Sequence, residues 1–229
     1  MARPRKPFAK SPRQPAPSVL RAPAPRTAAV SEPERREPVQ LRIIGGSMRG
    51  RRLLYSGHER TRPMKDRVRE AVFNLLGPAV AGMHAIDLFA GTGSLGFEAL
   101  SRGAARATFV EQHFPTADLI RQNATALGVA ARCQVHPANA IIWAQTGAIA
   151  GDEPWVVFCS PPYAFYVERQ EPMLRLVGTL VDRAPVGSMF VVESDERFDS
   201  VLLPDAAAWD VRPYPPAVVA VYRKRPLPR

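Results

Sequence analysis

The sequence contains few cysteines and no long hydrophobic run. Its two cysteines, Cys133 and Cys159, are too few for a disulfide framework and lack the Cys-x-x-Cys spacing of a zinc site, so both are expected to be reduced thiols. No apolar stretch approaches the ~20 residues needed to cross a bilayer, and no apolar segment follows the basic N-terminus as in a secretory leader. The four histidines show no ligand spacing. We therefore expect a cytoplasmic protein with no membrane segment and no metal.

Glycine is absent from residues 1–40, which hold nine of the chain's 24 prolines. Apolar side chains are scattered there, and such a segment cannot bury enough surface to offset the chain entropy lost on folding. Residues 1–40 are predicted to be a disordered, extended tail. A solvated linker is the simpler interpretation of this tail, and weak attraction to nucleic acid is the functional one.

Acidic residues are scarce in the first third of the chain. Residues 1–40 contain nine Lys/Arg against three Asp/Glu, residues 41–77 again nine against three, and residues 78–229 thirteen against fifteen. The first 77 residues thus carry +12 and the rest −2, which together give the net charge of +10. This asymmetry predicts contact between that region and a polyanion. The remainder has the composition of one ordinary globular domain.

Residues 41–77 are predicted to form a basic extension. Two short strand-like runs, 41–44 and 51–55, flank a glycine-rich turn and indicate a hairpin. Residues 64–76 have the apolar spacing of an amphipathic helix, with Lys65, Arg67 and Arg69 among its other positions.

Strand-like and helical segments alternate after residue 78. The predicted strands are 84–89, 107–110, 133–136, 156–159 and 189–192, with a final antiparallel pair at 209–211 and 217–222. The predicted helices are 95–101, 116–127, 138–149 and 165–181. This order favours a doubly wound α/β fold, a mostly parallel seven-stranded sheet with helices on both faces.

A glycine-rich loop after the first strand predicts a ligand site. Glycines at 91, 93 and 96 allow the backbone to turn sharply near a ligand, although a tight strand-to-helix connection is the simpler interpretation. The Lys-Ser/Thr of a P-loop is absent, and Asp87 would repel a phosphate. Glu111 ends the next strand, 24 residues after Asp87, where its carboxylate can accept the ribose hydroxyls of an adenosine. An adenosine without a phosphate clamp indicates S-adenosylmethionine.

The fourth strand ends in Ser160, Pro161, Pro162 and Tyr163. The prolines leave nearby carbonyls without N–H partners, and Tyr163 offers a flat ring for stacking. Such acceptors beside a stacking platform suit the exocyclic amine of an extruded base. A proline-rich strand terminator is the simpler alternative for this motif taken alone.

Together these residues resemble the class I S-adenosylmethionine-dependent methyltransferases that modify amines. Within them, residues 42–163 look like the bacterial 16S rRNA guanine-N2 methyltransferase family of the small subunit. The supporting segments are RIIGG with RGR from residue 42, TRP with DRVREAVFN from residue 61, and DLFAGTGSLGFEALSRGA from residue 87. The resemblance implies a Rossmann-like fold and methyl transfer to a guanine N2 amine.

The resemblance also implies roles for individual residues. In the cofactor site, Asp87, Phe89, Gly91 and Gly93 line the methionine side, Glu111 holds the ribose, and Asn139 and Ala140 border the adenine. At the target amine, Ser160 and the Pro161 carbonyl accept hydrogen bonds, Pro162 fixes the loop and Tyr163 stacks. The residues expected to hold rRNA phosphates are Arg42, Arg49, Arg51, Arg52, Arg62, Lys65 and Arg67.

Two positions depart from the family's pattern. Asn139 stands where the family usually has Asp, and Ser160 where it has Asp or Asn. A serine accepts a hydrogen bond but carries no charge and reaches less far.

Three hypotheses follow. The first is a monomeric rRNA guanine-N2 methyltransferase acting on 16S rRNA or a partly assembled small subunit. The second is a methyltransferase of another nucleic-acid amine, such as adenine in DNA. The third, motivated by Ser160, is a catalytically weakened RNA-binding or ribosome-assembly protein on the same fold.

Overall fold

The computed structural model describes residues 41–55, 57, 63–146, 149 and 151–226. The predicted tail and Arg62 lie outside these residues. Within the described part, the α-helices are α1 (Asp66–Leu76), α2 (Ser94–Ser101), α3 (Phe114–Ala126), α4 (Ala140–Gln145), α5 (Phe165–Glu168) and α6 (Gln170–Arg183). The strands are β1 (His84–Asp87), β2 (Arg106–Val110), β3 (Cys133–His136), β4 (Trp155–Cys159), β5 (Met189–Asp195), β6 (Trp209–Tyr214) and β7 (Ala217–Arg223).

The strands form one seven-stranded sheet in the order β3-β2-β1-β4-β5-β7-β6. Strands β1 to β5 run parallel to one another, whereas β7 is antiparallel to both β5 and β6. The predicted Rossmann-like fold and its antiparallel final pair are therefore confirmed. The carboxyl ends of β1, β2, β4 and β5 meet at one edge, where open α/β sheets bind ligands.

The central strands are buried on both faces. In β1, Ala85 belongs to one apolar core and Ile86 to the other, and in β4 Val156 and Val157 divide in the same way. Successive side chains of a strand point to opposite faces, so a strand covered on both sides is apolar throughout. One face is covered by α1, α2 and α3, and the other by α4, α5 and α6.

Helix α1 crosses the first of these faces. Asp66 lies in its first turn, where a carboxylate complements the positive end of the helix, and Gly77 ends it at φ +67°. The ring of Phe73 packs against Phe158 of β4, with 5.5 Å between centroids. Residues 64–76 thus pack onto the same core as the sheet.

Several predicted elements differ in extent by a few residues, and three differences affect the architecture. The expected hairpin contains a single antiparallel bridge, between Arg42 and Arg52. The helix predicted at 165–181 is divided at Arg169, because Pro172 has no N–H with which to continue the hydrogen-bond pattern back to Glu168. Helix α4 ends at Gln145 rather than at residue 149.

Candidate active site

The loop between β1 and α2 is shaped by glycine. Gly91 and Gly93 have φ values of +51° and +74°, in the left-handed region that residues with a Cβ rarely adopt. A Cβ at Gly93 would lie 2.8 Å from the Phe97 ring, so bulk is also excluded there. The backbone N–H of Gly96 donates to Asp87 Oδ2 over 3.1 Å, which fixes the carboxyl beneath the start of α2.

Asp87 is an unusual carboxyl group because it is fully buried. Burial raises its pKa to about 7, the nearby Glu111 carboxylate adds to the rise, and the hydrogen bond from Gly96 opposes it. A cationic ligand would favour the ionised form, whereas a phosphate would oppose it. The chemistry of this pocket fits a ligand that carries positive charge and no phosphate.

Glu111 follows β2 directly and faces the same loop. Its Oε2 accepts from the N–H of Gly91 and its Oε1 accepts from the N–H of His113, each over 2.8 Å. These two bonds fix the plane of the carboxylate. Each oxygen keeps a second lone pair, as the two hydroxyls of a ribose require.

Asn139 and Ala140 lie at the start of α4. Asn139 Oδ1 caps the helix by accepting from Ile141 N at 2.9 Å and Ile142 N at 3.3 Å. Its amide nitrogen, rather than this oxygen, is therefore the group suited to a ligand. The ring of Phe89 meets that of Phe165 edge to face, at 6.1 Å between centroids.

The second candidate subsite lies where β4 and β5 end. Cys159 is the register partner of Val192, so Ser160 emerges beside Glu193. The Ser160 hydroxyl donates a short hydrogen bond to Glu193 Oε2, and the Tyr163 hydroxyl donates to Oε1 over 2.8 Å. Glu193 is only 6% exposed, so a carboxylate lies inside the pocket despite the serine at position 160.

The sequence prediction omitted Glu193, although a signal was present. The apolar runs of β1 and β2 end at Asp87 and Glu111, and the run at 189–192 likewise ends at Glu193. Acidic residues at the carboxyl ends of neighbouring parallel strands lie at the same edge of the sheet. Burial and the Glu193 carboxylate raise the pKa of Tyr163, which keeps its hydroxyl protonated and able to donate.

The predicted phosphate-binding residues lie on the basic extension. Those exposed are Arg42, Arg49, Arg51, Arg52, Lys65 and Arg67. Arg42 also pairs with Asp66 at 3.5 Å, and Arg51 donates to the Ala126 carbonyl over 2.6 Å at the end of α3.

Arg69 is the exception among the basic side chains of α1, because it is fully buried. It donates to Asp66 Oδ1 over 2.9 Å and to the Arg42 carbonyl over 2.6 Å, and its Nε lies 4.0 Å from Glu98 Oε2. Amphipathic spacing predicts Arg69 on the polar side of the helix, but its guanidinium is buried among the Arg42 carbonyl, Asp66 and Glu98. Arg69 therefore holds the extension together rather than facing solvent.

Glu98 fastens the extension to α2. Its Oε2 accepts from Ile44 N over 2.7 Å, and its Oε1 accepts from Gly45 N and Arg102 Nε, each over 2.8 Å. Ser101, at the end of α2, accepts from Met48 N over 2.8 Å. The glycine-rich turn of the basic extension is thus bound to the C-terminal half of α2. The N-terminus of this helix, which is about 12 Å long, borders the glycine loop.

No group of three or more His, Cys, Asp or Glu side chains among the described residues is arranged to hold a metal ion. In the same part of the chain, every helix is too short or too polar to span a bilayer.

Comparison with known proteins settles the family. The profile described as "Conserved hypothetical protein 95" matches residues 41–208. The chain belongs to this family. The matched region begins at the basic extension and includes both subsites.

Several proteins similar to this chain are methyltransferases by name. Ribosomal RNA small subunit methyltransferase D of Escherichia coli (strain K12) is 38% identical over 158 residues, which cover 68% of this chain and 75% of that protein. A Bacillus subtilis (strain 168) protein, provisionally named rRNA methyltransferase YlbH, is 33% identical over 191 residues, covering 81% of this chain and all of its own. The solved structure of an E. coli protein, provisionally named methyltransferase yhhF, has a TM-score of 0.66 and 30% identity, covering 81% of this chain and 98% of its own. This member of the family is accordingly an enzyme of the methyltransferase class.

Proposed function

We propose that this protein transfers a methyl group from S-adenosylmethionine to the exocyclic N2 amine of a guanine in 16S rRNA. One observation carries the proposal. The Glu111 carboxylate accepts a hydrogen bond from Gly91 of the glycine loop. This carboxylate and the hydrogen-bond acceptors around Ser160 lie at the same edge of the sheet, where its parallel strands end. A methyl donor and a methyl acceptor therefore have adjacent places.

The first subsite suits the cofactor. Asp87, Gly91 and Gly93 hold its methionine part, Glu111 accepts from the ribose hydroxyls, and Asn139 borders the adenine. Ala140 and Phe89 complete the lining. S-adenosylmethionine supplies a methyl group already activated on a sulfonium, so the protein mainly has to orient the acceptor.

The second subsite suits an exocyclic amine. Ser160 Oγ and the Pro161 carbonyl accept from the amine N–H groups, Pro162 fixes the loop, and the half-buried Tyr163 ring stacks on the base. A separate general base is unnecessary, because a methylated amine that has become cationic releases its proton readily to water.

The basic extension holds rRNA phosphates, which fix the substrate's position without reading its sequence. Its turn is bound to Glu98 and Ser101 in the C-terminal half of α2, whereas the glycine loop borders the N-terminus of that helix, so the substrate contacts the enzyme at separated points. The substrate is 16S rRNA or a partly assembled small subunit. The enzyme acts on it as a monomer in the cytoplasm. Arg62, which the structure does not describe, is assigned to the same role.

The test is methyl incorporation from labelled S-adenosylmethionine, followed by nucleoside mass spectrometry. Substrates are naked 16S rRNA and small-subunit particles from cells that lack this protein, with DNA as the competing substrate. We expect N2-methylguanosine in rRNA. Methyladenine in DNA would favour the second hypothesis, and cofactor binding without any transfer would favour a non-catalytic assembly protein.

A further inference from the structure

We propose that Glu193 is a positioning residue that turns Ser160 into a hydrogen-bond acceptor for the target amine. The inference rests on the proposed methyl transfer and deepens it. Glu193 lies on β5, 33 residues from Ser160, yet accepts the hydrogen bonds of both hydroxyls in the Ser-Pro-Pro-Tyr motif. A buried carboxylate that contacts both polar side chains of this motif supplies the charge that the motif itself lacks.

A serine hydroxyl needs such a partner in order to act as an acceptor. If the single hydroxyl proton rotates toward the target amine, the O–H and the amine N–H are both donors and repel each other. An ionised carboxylate only accepts, so the bond from Ser160 Oγ to Glu193 Oε2 commits that proton and leaves the oxygen lone pairs for the amine.

Tyr163 holds the carboxylate in place. Its hydroxyl donates to Glu193 Oε1 over 2.8 Å, so the second oxygen is also satisfied inside the pocket. Buried charges persist only where hydrogen bonds or counter-charges offset the loss of water. The two hydroxyls provide such hydrogen bonds, and they fix the direction from which the negative charge faces the amine.

The charge matters most during transfer. The lone pair of the guanine N2 forms a bond to the methyl carbon while the carbon–sulfur bond breaks and leaves its electron pair on sulfur. The nitrogen becomes positive and then loses one proton to water. Through its hydrogen bond Glu193 makes the Ser160 oxygen more negative, and this oxygen stabilises the developing positive charge, because preorganised acceptors act most strongly where charge appears in the transition state.

The experiment compares Glu193→Gln, Ser160→Ala and the double variant, with Glu196→Gln as the control. Glu196 is an exposed carboxylate three residues further along, so the control makes the same change in charge. Single-turnover transfer to 16S rRNA, cofactor affinity, RNA affinity and melting temperature are measured for each. We expect Glu193→Gln and Ser160→Ala each to lower the transfer rate about 10- to 100-fold, as for loss of a hydrogen bond to a charged group. Both affinities should stay within about twofold, and Glu196→Gln should match wild type.

The double variant separates positioning from support of the fold. Without the Ser160 hydroxyl, Glu193 has nothing to act through, so the double variant should be no slower than Ser160→Ala. Multiplied losses, or an unchanged rate in Glu193→Gln, would overturn the proposal. Tyr163→Phe keeps the stacking ring and should reduce the rate less than Glu193→Gln. A wild-type enzyme that leaves rRNA guanine unmethylated would instead refute the proposed function.

Discussion

Replacing Glu98 by glutamine should destabilise the protein severely although the two side chains have nearly the same shape. The Glu98 carboxylate accepts from two backbone N–H groups and one guanidinium, and these donors are divided between its two oxygens. Glutamine has only one oxygen. In either orientation its NH₂ group must face at least one N–H donor.

The magnitude follows from burial. Leaving a buried N–H unsatisfied costs about 1–3 kcal/mol. Loss of the negative charge also leaves Arg69, which is 0% exposed, with Asp66 as its remaining carboxylate partner. Removing one partner of a buried ion pair costs about 3–5 kcal/mol, and we expect a total in that range because Asp66 remains. For a chain of this size, about 2–4 °C of melting temperature is lost per kcal/mol, which gives a fall of roughly 6–20 °C.

The assay is urea and thermal unfolding at pH 7, with Glu171→Gln as the matched control. Glu171 pairs with Arg175 at 3.0 Å on the exposed side of α6, where its side chain is 78% exposed. An exposed pair of this kind contributes about 0.3–0.5 kcal/mol. Hydrogen exchange at the amides of Ile44 and Gly45 should also accelerate in Glu98→Gln alone. Equal, small losses in the two variants would refute the reasoning.

Three further outcomes are expected. Cofactor affinity should be constant above pH 7 and should fall below pH 7 by up to about tenfold per pH unit. Asp87 has a pKa of about 7 and must lose its proton to meet a cationic ligand. Binding titrations over a range of pH values would show this dependence, and Asp87→Asn should abolish it. Replacing Arg49 and Arg52 by glutamine should weaken RNA binding and reduce the salt slope by about one unit per lost phosphate contact, without changing cofactor affinity. Gly96→Ala should destabilise by about 1–3 kcal/mol in urea unfolding, because its Cβ would meet the Phe109 ring.

The pH effect of Asp87 and the Gly96 variant each have a further check. The raised pKa of Asp87 means that the native state binds a proton more readily than the unfolded state, so stability without cofactor should fall from about pH 4 to 7 and level off above. Gly178→Ala, in the interior of α6 with its nearest neighbour 3.8 Å away, should stabilise by about 0.5–1 kcal/mol. An unchanged salt slope in the arginine variants, or a pH-independent cofactor affinity in wild type, would contradict the roles assigned to those residues.

Much of the fold was predictable because the deciding patterns are local. Alternating apolar strands and amphipathic helices fix a doubly wound sheet, and the position of Asp87 and Glu111 at strand ends already brings them to one edge. The break at Arg169 was also open to prediction from Pro172, three residues later. The helix cap formed by Asn139 has an equally local signal, an asparagine directly before an apolar helix.

The remaining features depend on distant segments. Arg69 has the sequence context of an exposed helix residue, but its guanidinium meets the Arg42 carbonyl, 27 residues earlier, and the Glu98 carboxylate on another helix. Glu193 faces Ser160 because β4 and β5 are neighbours in the sheet, an adjacency that neither segment encodes alone. Side-chain partners in a parallel sheet are set by register, which a single sequence does not determine.

The register of β4 and β5 also affects how related sequences are compared. A motif search examines consecutive residues, whereas this pocket combines Ser160, directly after β4, with Glu193 on β5. A scan that demands Asp or Asn directly before the two prolines would discard this chain as inactive. Alignment columns whose residues are in contact in the structure, such as those of positions 160 and 193, need to be compared as a pair. The quantity to compare is the total charge of the two residues.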